Sequence, residues 1–156
     1  MMKIFIIFFY TLIISTTPLS ALEKGKWSFV KTDEYCYIGS QAIETDLQPE
    51  KKRGDFYILV YKNIGNPSSV VQIEAGYEYK IEKEIIVKID QGNYNFYTTK
   101  DLPETAWTDD DNKVIFAMKK GLKLIVTGES ARGTITNDTY TLKGFTASYN
   151  KLIEDC

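Results

Sequence analysis

The chain has 156 residues, with 19 basic and 21 acidic side chains, no histidine and a formal net charge of −2. So weak a balance supplies no general attraction for nucleic acid or an anionic membrane surface, leaving only a local patch as a route to either. The missing histidine removes the commonest neutral-pH base and the commonest nitrogen metal ligand.

The first residues read as an export signal. Met1, Met2 and Lys3 form a short positive end, residues 4–14 are an apolar run, and small or polar residues follow through Ser20 and Ala21. Leu19 and Ala21 occupy the minus-three and minus-one positions of a cut after Ala21. The apolar run ends at Thr16, Thr17 and Pro18, short of the roughly 20 residues a membrane anchor needs. Cleavage leaves residues 22–156, with 18 basic against 21 acidic side chains and no membrane span. That length suits one domain with a real hydrophobic core.

In chain order, residues 27–30 are the first expected strand, with Trp27 and Phe29 facing one way. Asp33 and Glu34 suit a turn, and residues 35–43 form a second strand in which Gly39 marks a bulge or a close approach. Residues 44–55 mix acidic and basic side chains with Pro49 and Gly54, which reads as an exposed, solvated loop. Residues 56–61 are apolar almost throughout, as in a central strand. A turn through Asn66 and Pro67 leads to a short strand at Val70, Val71 and Ile73. Gly76 breaks the run before another strand-like stretch, residues 77–81. Ile85, Val87 and Ile89 alternate, and Asp90-Gln91-Gly92 is a turn into residues 94–97.

Residues 100–108 read as irregular. Val114, Ala117 and Met118 then recur at helical spacing, with Phe116 widening the apolar face. Thr108 or Asp109 is the candidate cap, Asp110 and Asp111 complement the first turn, and Lys119 and Lys120 the last. Gly121 is placed to end the helix in left-handed geometry. The following strand puts Leu122, Leu124 and Val126 on one side, with Ile125 apolar on the other. Past a Gly/Thr/Asn turn, Tyr140 and Leu142 alternate with Thr141 and Lys143. Gly144 marks the change to a short terminal helix whose apolar side is Phe145, Tyr149 and Leu152. Strands of five to eight residues separated by turns predict a mainly β fold, an antiparallel β-sandwich or partly closed barrel. One helix precedes the last strands, and a short one ends the chain.

Cys36 and Cys156 are the only cysteines. In an oxidising compartment such a pair favours an internal disulfide; the alternative is a frayed Cys156 paired with another molecule or with nothing. A bond would close a loop of about 120 residues and contribute about 4 to 5 kcal/mol on a chain-entropy model. Neither a CxxC spacing nor a nearby histidine points to a metal or redox centre.

No catalytic constellation stands out, and no cofactor is implied. Ser130 lies in GESARG, not GxSxG, and no histidine is present to activate it. Asp109-Asp110-Asp111-Asn112 lacks the alternating ligand spacing of a calcium loop. Glu129, Arg132 and Asp138 suit turn chemistry or a surface ion pair. Arg132, between Ala131 and Gly133, either fixes a carboxylate or presents its donors to an anionic ligand. Tyr35, Tyr37, Tyr57, Tyr61, Tyr77, Tyr79, Tyr94 and Tyr97 lie in or beside strands, where rings bury and hydroxyls stay wet. An exposed set of them would form a partner surface. The residues thus favour a non-enzymatic interaction module with a protein or envelope component as partner. A binder of a small ligand, glycan or peptide is the alternative, and a hydrolase comes last.

A-M-K-K-G through L-I-V at residues 117–126, S-A-R-G-T at 130–134 and D-T-Y-T-L-K-G-F-T-A at 138–147 resemble the invasion-associated locus B family. Trp27 and the Cys36-Tyr37 segment fit the same family, so the resemblance covers most of the mature chain. It implies a small exported β-sandwich protein of Gram-negative bacteria, in the periplasm or at the outer surface, with some members linked to host-cell entry. It supplies no catalytic residues, and the family's molecular activity is not established. Many relatives carry a cysteine pair just after the equivalent of residues 94–97. Here residues 98–106 contain no cysteine, and Cys156 closes the chain instead.

Overall fold

The computed structural model describes residues 22–156; the expected signal segment, residues 1–21, lies outside the described residues. Ten strands and two helices follow in the order β1 (Ser28–Lys31), β2 (Tyr35–Gln41), β3 (Glu44–Thr45), β4 (Tyr57–Asn63), β5 (Val70–Glu74), β6 (Ile85–Ile89), β7 (Gly92–Phe96), β8 (Thr105–Ala106), α1 (Asp111–Lys120), β9 (Lys123–Glu129), β10 (Ile135–Thr141) and α2 (Phe145–Asp155). They form two five-stranded sheets, ordered β1-β2-β4-β5-β8 and β3-β10-β9-β6-β7. Every strand pair is antiparallel.

Period-two alternation turns one face of each sheet inward. In the first sheet Ile38, Val60 and Val71 stand opposite one another, and Ser40, Ile58 and Ile73 make the next row. In the second, Ile89, Leu124 and Tyr140 form one row and Val87, Val126 and Asp138 another. The apolar members of these rows share one buried cluster with Trp27, Tyr79, Phe96 and Phe145.

The expected helices are present with shifted ends. Neither Thr108 nor Asp109 caps α1: the N-cap is Asp110, whose side chain makes no capping bond. The Thr108 hydroxyl accepts from the Asp110 N–H at 3.2 Å, and Asp111 accepts from the Val71 N–H at 2.7 Å. Gly121 ends the helix with φ −81° and ψ 166°, which is extended and not left-handed. Glycine is needed there for room, since a Cβ would sit 2.7 Å from Ile89 Cγ2 and 2.9 Å from Leu142 Cδ1. The chain therefore leaves α1 already extended and β9 begins at Lys123, which places Leu122 outside the inward row at 80% exposure. Leu124 and Val126 are buried, as their alternation requires.

Two other expectations change, and the alternatives at Gly39 are decided. Residues 77–81 are not a strand; Tyr79 makes an isolated bridge to Ser130, and its ring fills the core. Within residues 100–108, read as irregular, Thr105 and Ala106 pair with Glu74 and Ile73 as β8. Of the two readings of Gly39 the close approach holds and the bulge does not: β2 runs in unbroken register past it, and a Cβ there would sit 2.5 Å from Leu59 Cδ2.

Helix α2 packs against β1 and β2. Phe145 meets Trp27 edge-on at 4.8 Å, Tyr149 stacks on Phe145 at 5.9 Å, and Leu152 is fully buried. Burying a side chain such as Phe145 or Leu152 is worth about 1.5 to 3 kcal/mol. The Trp27 indole N–H donates to the Thr141 carbonyl at 3.0 Å, and the Ser148 hydroxyl donates to the Trp27 carbonyl at 2.9 Å. Cys36, buried on β2, is joined to Cys156 with Cα atoms 5.9 Å apart, 120 residues distant in sequence. The link fixes the last turn of α2 to the sheet it covers. Replacing Cys156→Ser is expected to lower stability by about 2 to 5 kcal/mol in denaturant titrations, while α2's apolar face still holds a native-like circular dichroism spectrum.

Candidate functional site

The charged segment after β3 is not a wholly solvated loop. Arg53 turns inward from it and pairs with Asp138, the two side chains being only 4% and 5% exposed. Asp138 lies in the middle of β10, not in a turn, and its inward position follows from the register Val87–Val126–Asp138. A carboxylate in such a row needs a partner, because an isolated buried charge is strongly disfavoured.

Arg53 meets it with both terminal nitrogens, Nη1 to Oδ2 at 2.8 Å and Nη2 to Oδ1 at 2.5 Å. Nη1 also donates to the Ala75 carbonyl at 3.3 Å, Nη2 donates to the Thr45 hydroxyl at 3.0 Å, and the guanidinium plane lies 3.4 Å from the Phe56 ring centroid. Such a two-pronged, stacked arrangement suits arginine and not lysine. The segment is held at two further points. The Asp46 carboxylate accepts from the N–H and the side-chain amide of Asn137, each at 2.7 Å. Gly54 donates to the Gly76 carbonyl at 2.8 Å. Gly76 has φ +68° and would place a Cβ 2.4 Å from the Gly54 oxygen, so only glycine fits.

These anchors leave a surface groove of about 830 Å³ between the 46–55 segment and the connection from β9 to β10. Lys51, Lys52 and Arg132 line it together with Glu50 and Glu78, and Tyr77 forms part of its wall. Burial raises the Tyr77 phenol above its ordinary value, and Asp138 adds to this, while the Thr136 hydroxyl at 2.8 Å and Arg53 oppose it. The Lys51 ammonium makes one hydrogen bond, to the Thr134 hydroxyl at 3.2 Å. Among the described residues neither Lys51, Lys52 nor Arg132 has a carboxylate at salt-bridge distance.

Arg132 and Asp138, singled out together in the sequence, are therefore separated. Arg132 is exposed on the connecting turn, while Asp138 lies beneath the groove, bound to Arg53. Nor do Glu129, Arg132 and Asp138 share a surface pair, since Glu129 is bridged to Lys80 at 2.5 Å. Ser130 shapes the turn: its N–H donates to the Thr134 carbonyl at 2.8 Å and its hydroxyl accepts from the Thr134 N–H at 3.1 Å. Arg53 escaped the sequence reading because its loop looks solvated. A signal existed in its partner, since stepping the alternation back from Tyr140 lands on Asp138. Tyr35, Tyr37, Tyr57 and Tyr61 lie away from the groove on the outward face of the first sheet, Tyr37 opposite Tyr61 and stacked with Tyr35 at 6.2 Å.

Fold and site together define a mainly β protein with a polar surface groove above a buried ion pair. Among the described residues no group of three or more His, Cys, Asp or Glu side chains is gathered to hold a metal ion. The chain belongs to the invasion associated locus B (IalB) protein family, which it matches over residues 29–153. It is similar to the crystal structure of invasion associated protein B from Bartonella henselae, with a TM-score of 0.57 and 18% identity over 83% of this chain and 93% of that one. At that identity the likeness concerns the fold. No curated protein matches the chain.

Breaking the pair from one side is expected to be severe. Asp138→Ala strands the Arg53 charge and should cost about 3 to 5 kcal/mol, whereas Arg53→Met combined with Asp138→Leu should recover most of it, as read by denaturant titration. Partial burial pushes the Asp46 carboxyl up, but the bonds from Asn137, aided by Arg53, outweigh this and leave it below the ordinary range. A depressed carboxylate stabilises the fold fully above its unfolded value, near 4, and loses that contribution as pH falls through its lower folded value. Asp46→Asn should accordingly flatten the acid limb of the stability profile below about pH 4.

Proposed function

We propose that this protein is an exported, non-enzymatic binding protein of the cell envelope, and that its groove takes an anionic segment of a partner. The observation that carries this reading is the set of three cations, Lys51, Lys52 and Arg132, gathered around one concavity without carboxylate partners. Charges left uncommitted beside a rigid floor cost little reorganisation when they meet an acidic ligand. The floor is rigid because Arg53 is held by Asp138, Thr45 and the Ala75 carbonyl.

Export rests on the signal pattern with cleavage after Ala21, and places residues 22–156 as a single domain in the periplasm or at the outer surface. Among the described residues no helix is long and apolar enough to cross a membrane. The shared apolar cluster supports packing of the two sheets as a β-sandwich. The positions that face inward carry large side chains, Tyr79, Tyr140, Phe96 and Phe145 among them, which favours a surface site over one between the sheets.

The test uses the mature chain and a fluorescent hexaglutamate peptide, with the lysine counterpart as control. Lys52→Glu combined with Arg132→Glu should weaken binding by at least tenfold and leave the melting temperature nearly unchanged, because both side chains are at the surface. Photo-crosslinking from position 132 in intact cells then identifies the captured partner. Equal binding of both peptides, or no effect of the double charge reversal, would remove the groove from the reading.

A further inference from the structure

The four sheet edges are protected unequally. At β3 and β8 the edge strands have only two residues each. Strand β1 has four residues, ends on the charged Lys31 and packs against α2, where the Lys31 ammonium donates to the Asp155 carbonyl at 2.7 Å. Strand β7 is different. It ends the second sheet with five residues, Gly92-Asn93-Tyr94-Asn95-Phe96, and carries neither a charge nor a proline. Lysine, proline and short length are the usual guards of an exposed edge.

The register shows which groups β7 leaves open. Its connection to β6 has two residues, Asp90 and Gln91, with Ile89 opposite Gly92. In such a hairpin the closing pair is hydrogen-bonded, so Gly92, Tyr94 and Phe96 turn their main-chain groups to β6. Asn93, Asn95 and Tyr97 turn theirs outward. Tyr97 uses them on Trp107, each residue donating its N–H to the other's carbonyl at 2.9 Å. Beyond Trp107 the chain bends away into α1, and neither Asn93 nor Asn95 has a main-chain partner outside the β6 ladder among the described residues.

A groove of about 390 Å³ runs along this stretch, between β7 and the start of α1. Its charged lining is Glu84, Asp109 and Asp110 against the single cation Lys113. Asp109 accepts from the Tyr97 hydroxyl at 3.1 Å, Glu84 accepts from the Asn95 amide at 3.3 Å, and the Asp110 side chain makes no capping bond. Negative charge therefore borders an open strand edge that already continues, through Trp107, in antiparallel pairing.

We propose that the outer edge of β7 is a second binding site, which adds an extended, basic peptide segment of a partner protein as a further strand. Main-chain bonds to Asn93 and Asn95 supply register, and Glu84, Asp109 and Asp110 select lysine or arginine on the segment. This site lies apart from the cationic groove and has the opposite charge preference.

The probe is a displayed library of seven-residue peptides, panned on the mature chain and in parallel on Asn95→Pro. Proline removes an outward N–H that the β6 ladder does not use, so the sheet should persist. A second variant, Asp109→Lys with Asp110→Lys, leaves the edge intact and reverses the local charge. Enriched peptides should carry alternating basic residues, shift the amide resonances of Asn93 and Asn95, and bind at least tenfold more weakly to each variant. If Asn95→Pro loses the wild-type amide pattern of β6, the charge variant alone decides. The proposal is overturned if no peptide is enriched over the variants, if the enriched peptides are acidic, or if the shifted resonances lie elsewhere.

Discussion

A carboxylate placed among apolar side chains governs much of this structure. Asp138 occupies an inward position of β10, in line with Val126 and Val87, where water cannot solvate it. Only a partner that brings both charge and several donors makes the position tolerable. Arg53 does so from a segment 85 residues away, and everything that touches the guanidinium is thereby placed: Thr45, the Ala75 carbonyl and the face of Phe56. Replacing such a pair by apolar groups need not destabilise a protein, so its effect is best understood as specification. It fixes where the 46–55 segment lies, and that segment is one wall of the cationic groove.

The opposite end is organised by a different constraint. Helix α2 packs against β1 and β2, with Phe145, Tyr149 and Leu152 joining the core, and the Cys36–Cys156 link ties the residue that caps it to β2. The ring contact of Phe145 with Trp27 and the bonds from the Trp27 indole and the Ser148 hydroxyl serve the same junction. The β1–β2 end of the first sheet is thus packed against α2. Among the described residues the second keeps the outer edge of β7 open, with an acidic border, while its groove at the β9–β10 connection sets Lys51, Lys52 and Arg132 against Glu50 and Glu78. The two proposed binding surfaces thus lie on one small scaffold and differ in charge.

Membership of the IalB family agrees with these features without explaining them. The family match spans nearly the whole described chain, and the likeness to the Bartonella henselae protein extends over most of both chains at 18% identity. A shared fold at that distance leaves the surface free to differ, and the proposed binding surfaces are built from surface residues such as Lys52, Arg132 and Asn95.

Local pattern was sufficient wherever a residue's role depends on its near neighbours. Alternation at Ile85, Val87 and Ile89, helical spacing at Val114 and Met118, and the apolar side of α2 were all legible, because side-chain direction repeats with the backbone period. Patterns dependent on distant contacts were not. Gly121 has the pattern of a left-handed cap, but its real constraint is the approach of Ile89 and Leu142; Leu122 falls in line with Leu124 and Val126, yet the same extended exit starts β9 only at Lys123 and leaves it exposed. Thr105 and Ala106 become a strand only because β5 offers an edge, and residues 77–81 do not because Tyr79 is drawn into the core. Sequence alone therefore determined a mainly β chain with two helices and the identity of its charged and cysteine residues. Tertiary structure decided that Arg53 belongs to Asp138, that Arg132 lies beside Lys51 and Lys52, and that β7 is an edge strand of the second sheet. Those outcomes depend on which surfaces meet across the sheets, and no local period records that.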